Sequence, residues 1–334
     1  MTILNNSALR AQATGRVRQH PREARLLVLV YCGVIAALSL GSSGLNLLLD
    51  SRIGQTGGLD GMGMRTLLQT IQEVMYYVNF LFGPFWSAGF LYAMLRMVRG
   101  GRPEVNSLTE GFRRIGRILG HLAFQFLVVF GLLLAAVNLA SVLFSFSSYG
   151  AEFAEMMMPV LEEPNLIAAD GSVNLSVIPM EVIYKAAVPM LVLICVIFLP
   201  VYLYALMCFR MSLYLVMERS LGGVRAHFES ARLMQGHKLQ LLKLDLSYWW
   251  YYLLGIVISV AAYLDQILPL MGVELPFSPS VLYFLAMGLY CLLNLALSLW
   301  KKCEVDAAYV LAYEAIAYPE EPAGNQEFRM QTAE

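Results

Sequence analysis

Residues 186–217 read AAVPMLVLICVIFLPVYLYALMCFRMSLYLVM, and Arg210 is the one ionic side chain in the run. About 20 mainly apolar residues suffice to cross a hydrocarbon core of roughly 30 Å, so this stretch places the chain in lipid. As a helix it is about 48 Å long. It must therefore tilt, kink or project from the bilayer, with Pro200 as the expected kink. Five further runs of the same character occupy 26–49, 74–97, 118–144, 241–264 and 281–300. The composition agrees: 58% of the 334 residues are hydrophobic and 14% charged, against roughly 25% charged in soluble domains. The expectation is an all-α fold, a six-span transmembrane helical bundle with short amphipathic helices at the cytoplasmic interface. A basic N-terminal tail, 1–25, precedes a membrane domain over 26–317, and a disordered tail, 318–334, follows it.

Charge orients the spans. Arg10, Arg16, Arg18, Arg22 and Arg25 precede the first run, and Arg96, Arg99, Arg102, Arg113, Arg114 and Arg117 flank the second and third. Arg210, Arg219, Arg225, Arg232, Lys238 and Lys243 gather between the fourth and fifth, and Lys301, Lys302 and Arg329 follow the sixth. The opposite side keeps Arg52, Arg65 and Lys185. Cations accumulate on the cytoplasmic side of a membrane, so both termini are expected there, in a bacterial inner membrane. The first run is preceded by a long polar stretch and exceeds the 7–15 residues of a signal-peptide core, so it reads as a retained span.

Outside the spans, the loop 145–185 carries Glu152, Glu155, Glu162, Glu163, Asp170 and Glu181. It could attract cations or a basic peptide, and it is equally what the charge bias leaves on the outer side. Its segment 151–163, with Met156, Met157 and Met158, suits a short surface helix. Gly54, Gly57, Gly58, Gly61 and Gly63 suggest a flexible connection before the second span. Cys32, Cys195, Cys208 and Cys291 fall inside spans and Cys303 just beyond the last, so no pair is placed for an extracytoplasmic disulfide. The two basic loops share a design, an amphipathic stretch with aromatic or Met anchors suited to headgroups: Ser107 to Phe112 before Arg113, and His227 to Ser230 before Arg232 and Met234. Small residues repeat at Gly33, Ala37 and Gly41, and at Gly116 and Gly120, where helices within the chain could approach closely.

The stretch Phe209-Arg-Met-Ser-Leu-Tyr214, with Ser230-Ala-Arg-Leu-Met234, Gly236-His-Lys238 and Leu244-Asp-Leu-Ser247, resembles a bacterial integral membrane family known as domain of unknown function 975. Pro84, Gly89, Arg99, Gly100, the Leu108, Gly111, Phe112 group and Tyr313-Glu314 extend the resemblance over roughly residues 25–316. The chain departs from the pattern at Arg219-Ser220 and Lys301-Lys302. The resemblance implies a multi-span helical fold and carries no activity with it.

Motifs for chemistry are missing from the sequence. It holds no GxxxxGK[ST], HExxH or GxSxG and no Cys or His pair at metal-ligand spacing, so no catalytic residue, cofactor or metal is expected. Nucleic acid is not an expected partner. Within the spans, Asn79, Gln125, Asn138 and Asn294 can serve as interhelical glue or mark a substrate route. At the cytoplasmic boundary, Arg210, His237, Lys238, Asp245, Glu304 and Asp306 form a candidate headgroup or ion-pair cluster, with Asp245 the expected partner of Arg210. The leading expectation is a non-enzymatic component that binds anionic lipid headgroups or acts as a scaffold beside an export or envelope system. A small-molecule or peptide transporter is the alternative, and an enzyme acting on lipid headgroups a second one. Transport requires the amides to share one wet cavity. Headgroup chemistry requires Asp245, Glu304 and Asp306 to converge on one.

Overall fold

The computed structural model describes residues 5–53, 59–162, 179–273, 276 and 278–319, and among these every regular element is helical. Five runs are long and apolar enough to cross a membrane: Pro21–Leu45, Gln69–Val98, Ile115–Ser145, Tyr184–Glu218 and Pro279–Ala317. A sixth arises if the pair Lys238–Ser247 and Trp249–Ala261, bent by 63° at their junction, is counted as one broken span. The chain divides into two compact units, Met1–Gly120 with Met211–Glu334, and His121–Arg210.

In the first unit the basic N-terminal segment is itself a helix, α1 (Asn6–Gln19), started by Asn5, whose side chain accepts from the Ser7 and Ala8 amides. Its Leu9 and Ala13 are buried. α2 (Pro21–Ile53) and α3 (Leu59–Val98) follow as long apolar helices. Gly61 and Gly63 thus lie inside α3 and do not form a flexible connection, while Gly54, Gly57 and Gly58 fall outside the described residues. α3 stops because Gly100 adopts a left-handed φ of 90°. The Gly100 amide then donates to Met97 and the Gly101 amide to Arg96, the double bond of a Schellman cap.

The first basic loop folds back on α3 as a 3₁₀ turn (Val105–Thr109) and a one-turn α4 (Glu110–Arg113). The approach is closer than a side chain permits. A Cβ on Gly89 would stand 1.9 Å from the Leu108 carbonyl oxygen, and one on Gly111 would stand 1.9 Å from that of Phe85. Phe112 then packs its ring on Phe82, Phe85 and Trp86 at 5.1, 5.7 and 6.4 Å. The repeats at Gly33, Gly41 and Gly116 meet nothing within 4 Å. A Cβ on Gly120 would lie 4.0 Å from the Gly223 backbone nitrogen, an ordinary contact, and the tight approaches occur at Gly89 and Gly111.

The second unit takes in most of α5 (Ile115–Ser145), α6 (Ser148–Leu161) and α7 (Met180–Phe209). The short helix expected in the acidic loop is α6, capped by the Ser147 hydroxyl, which accepts from the Gly150 amide. Residues 163–178 and the tail from 320 lie outside the described residues, as do the readings made of them. α7 runs unbroken through Pro189 and Pro200. The interruption in the long fourth run falls at Arg210-Met211 instead, after which α8 (Ser212–Glu218) resumes in the first unit.

α9 (Gly223–Leu233) packs beside α8, where the buried Ser230 hydroxyl accepts from the Met211 amide at 3.0 Å. Of the expected headgroup anchors, Met234 is fully buried in the protein interior, Phe112 is half-buried against α3, and Phe228 is exposed. α10 (Lys238–Ser247) bends into α11 (Trp249–Ala261), and α12 (Leu264–Leu270) follows. α11 alone is about 20 Å long, short of a bilayer core.

The last run departs most from expectation. α13 (Pro279–Leu297), capped by Ser278 with proline at its first position, passes through a π-turn (Ser298–Lys302) into α14 (Cys303–Ala317). Lys301 and Lys302 therefore do not end the helix; they sit within one apolar run of 39 residues. α14 is a core helix, with Val305, Ala307, Ala308, Val310, Ala312 and Tyr313 buried. It packs against α1 and α3. All five cysteines are free.

Replacing Gly89 by Ala is expected to cost about 3 kcal/mol or more, because backbone cannot yield as a side-chain tip does. Gly33→Ala, in open space on a helix, should gain up to about 1 kcal/mol. Thermal midpoints in one detergent check both, and equal midpoints for the two variants would sink the account of the α3 contact.

Candidate functional site

Three polar constellations occupy the first unit. The most buried was not foreseen. Arg99, at the C-cap of α3, donates from Nε to Glu314 Oε1 at 2.9 Å and from Nη2 to the same oxygen at 2.6 Å. The same Nη2 also pairs with Glu218, the last residue of α8. Side-chain exposure is 9% for Arg99, 10% for Glu218 and 7% for Glu314, so the ion triad is withdrawn from water. Tyr313 donates to Glu218, and Tyr318 donates to it at 3.0 Å. Tyr313 in turn stacks on Tyr214 of α8 with centroids 5.0 Å apart. Burial works against the charged guanidinium, but Glu218 and then Glu314 outweigh it and hold Arg99 protonated beyond its ordinary range. Both carboxylates stand at helix C-terminal ends, where the macrodipole disfavours an anion, so they depend on this cation.

The second constellation surrounds the π-turn. Lys302 Nζ lies 3.1 Å from Asp306 Oδ2 and sits over the rings of Tyr31 and Phe90 at 5.1 and 4.9 Å. The Tyr31 hydroxyl shares a 2.9 Å hydrogen bond with Ser87, and Trp86 Nε1 donates to the Tyr31 carbonyl at 3.1 Å. Lys302 also borders a cavity of about 240 Å³ between α2, α11 and α13, lined among others by Tyr31, Ser39, Tyr251, Tyr290 and Asn294.

The third joins α1, α10 and α14. Lys301 pairs with Glu304 at 2.6 Å, Arg10 lies over the Tyr248 ring at 5.1 Å, and Asp245 accepts from Tyr309, which shares a 2.6 Å bond with Tyr252.

Of the residues named from sequence, Asp245, Glu304 and Asp306 thus all contact α14 or belong to it, but each is engaged by its own partner, and none lines the cavity. His237 Nδ1 is 3.2 Å from Gln240 Oε1, and Lys238 opens α10. Arg210 is the half-buried C-cap of α7 and belongs to the second unit. Asn294 lines the cavity and donates to Tyr290 at 3.4 Å, whereas Asn138 is exposed and returns its amide to Leu134 of its own helix at 2.7 Å. Gln125 is half-buried on α5, and the Asn79 side chain is outside the described residues. No group of three or more His, Cys, Asp or Glu suited to a metal occurs among the described residues.

Arg99, Glu218 and Glu314 escaped sequence reasoning, although one signal was present. The run AAYVLAYEAIAY, 307–318, carries a single acid, and an acid in so apolar a stretch calls for a buried cation.

Several helices long and apolar enough to cross a membrane, with an ion triad buried at the helix ends of the first unit, mark a helical protein of the multi-pass membrane class. The chain belongs to the family described as Protein of unknown function (DUF975), which it matches over residues 3–300. That match takes in α1 and stops short of α14 and Glu314. No curated protein and no solved structure matches it.

Two outcomes are expected. Arg99→Met leaves two carboxylates buried without their cation and should destabilise by about 3–5 kcal/mol, while Arg113→Gln, whose side chain is 75% exposed beside Glu110, should fall within about 0.5 kcal/mol of the parent. Chemical unfolding in detergent measures both. His227, buried on α9 with Nδ1 2.7 Å from the Gly223 carbonyl, has its pKa lowered by burial. The unfolded chain therefore takes up a proton near pH 6.5 before the folded one does. Stability is complete above that value and lost as pH falls through the folded one. Thermal midpoints from pH 8 to 5 should drop more steeply for the parent than for His227→Gln.

Proposed function

We propose that the chain is a six-span protein of a bacterial cytoplasmic membrane, with α10 and α11 as one broken span and both termini cytoplasmic. On this reading it works without catalysis, as a lipid-interacting or scaffold component beside an export or envelope system. The observation that carries the proposal is the gathering of basic segments that are remote in sequence. The N-terminal helix, the loop after α3 and the segment from α8 to α10 all belong to one unit, and they leave Arg18, Arg22, Arg113, Arg117, Arg225 and Lys243 exposed. Large apolar side chains on the same elements are exposed too: Phe228 at 66%, Leu239 at 72% and Leu246 at 62%. Cations beside apolar anchors suit the headgroup region of an anionic leaflet, where each cation contributes about 1 kcal/mol.

Transport draws support from Asn294, the one named amide that lines the cavity. Asn138, spent on its own helix at an exposed face, gives it none. A headgroup enzyme would need its carboxylates at one cavity, and their separate partners do not favour it.

Native mass spectrometry after release from nanodiscs of mixed lipid tests the lipid reading. Phosphatidylglycerol should be retained over phosphatidylcholine, and the preference should weaken as salt rises. Equal retention of the two lipids would overturn the reading and bring transport assays forward.

A further inference from the structure

The cavity beside Lys302 has the chemistry of a site for one phosphate ester. Its height in the membrane follows from the chain. Pro279 opens α13, and Lys302 comes about 35 Å further along the helical run, so it stands near the opposite edge of a hydrocarbon core of roughly 30 Å. Indole rings mark the same level. Trp300 and Trp249 are each 60% exposed, and Trp250 packs on Trp300 with centroids 5.3 Å apart, as aromatic side chains do at a membrane–water boundary.

The lining is rich in donors. Lys302 brings an ammonium, Tyr251 and Tyr290 bring hydroxyls, and Asn294 brings an amide. Tyr290 accepts from Asn294, which leaves its own proton to give. Among the described residues no carboxylate lines the space. Asp306 holds Lys302 at 3.1 Å without lining the cavity, and the rings of Tyr31 and Phe90 fix the ammonium further. An immobilised ammonium with neutral donors around it, in a low-dielectric wall, favours a ligand with several acceptor oxygens and negative charge. At about 240 Å³ the space is smaller than the roughly 300–1,000 Å³ that encloses a drug-sized ligand. It therefore takes a headgroup and not a whole lipid.

We infer that the cavity between α2, α11 and α13 binds the phosphate headgroup of an anionic phospholipid from the cytoplasmic leaflet, with Lys302 as its cation and Tyr251 and Asn294 as donors. This deepens the lipid-interacting reading and rests on it.

The test compares the full chain with Lys302→Gln, Tyr251→Phe and Asn138→Ala in nanodiscs of phosphatidylglycerol and phosphatidylcholine, counting lipids retained by native mass spectrometry. The site predicts one tightly held phosphatidylglycerol. Its retention should fall about tenfold in Lys302→Gln, the loss of a charge-assisted hydrogen bond, and severalfold in Tyr251→Phe, which leaves the Lys302–Asp306 pair intact should the first variant fail to fold. Asn138→Ala, at an exposed position whose amide donates back to its own helix, should not change it. Soluble glycerol phosphate, added in excess, separates the sources: failure to displace the bound species assigns a membrane lipid, and displacement assigns a free phosphate ester to the same donors, overturning the lipid assignment. If the parent prefers phosphatidylglycerol but Tyr251→Phe retains it fully, the site is wrong and generic adhesion to the basic face stands. If the parent shows no preference, the lipid reading itself fails together with the site.

Discussion

The pairing of Arg99 with Glu218 and Glu314 is the constraint on which the first unit depends. Burying two carboxylates and a guanidinium removes each from water at a cost of several kcal/mol, recovered only if geometry and accompanying hydrogen bonds are good. Here the Tyr313 and Tyr318 hydroxyls take up Glu218 lone pairs, and one guanidinium reaches both acids. The arrangement joins the ends of α3, α8 and α14, none of which is adjacent in sequence. A hydrophobic contact could hold those ends together with equal energy. An ion triad does so at one rotation of each helix, since a turned α14 would carry Glu314 away from its cation and leave a charge buried alone.

Around that anchor, large buried side chains such as Met94, Met97 and Leu108 fill the interior, and backbone proximity adds a second kind of contact. Gly89 and Gly111 let the loop after α3 lie directly on the helix, and Phe112 closes the contact with three aromatic neighbours. The 3₁₀ turn and α4 give the loop its own shape, and the close approach to α3 sets where it lies. A basic loop with buried Leu108 and Ser107 is then a rigid part of the protein whose arginines project at set places.

The spans were legible because lipid imposes a requirement that each segment must meet alone: enough apolar residues in a row. That is why 74–97 and 118–144 correspond closely to Gln69–Val98 and Ile115–Ser145. Two readings of what flanks a span did not hold. Lys301 and Lys302 resemble the charged end of a membrane helix, yet Lys301 pairs with Glu304 and Lys302 with Asp306, and the helix continues past them. Met234 resembles an interfacial anchor in a basic loop, but whether it faces lipid or protein depends on what packs against it, which local composition does not encode. The ion triad was hidden by distance: Arg99 is 119 residues from Glu218 and 215 from Glu314. Of the site residues named in advance, Asn294, Glu304, Asp306 and Asp245 did land in polar constellations of the first unit, although with nearby partners that the sequence had not paired with them.

The π-turn at Ser298–Lys302 holds a surplus residue compared with an α-turn, and a residue of α-helix is worth about 100° of rotation. α13 and α14 are therefore out of phase: one presents Asn294 to the cavity while the other presents Glu314 to Arg99. Loss of any one residue between them would return the turn to α geometry without harming the hydropathy of the run, and would swing every side chain of α14 by about 100° relative to α13. Chain length at this point is thus fixed to the single residue, a restriction of the sort that a reading frame places on a gene, and it falls on a stretch whose individual amino acids are otherwise ordinary.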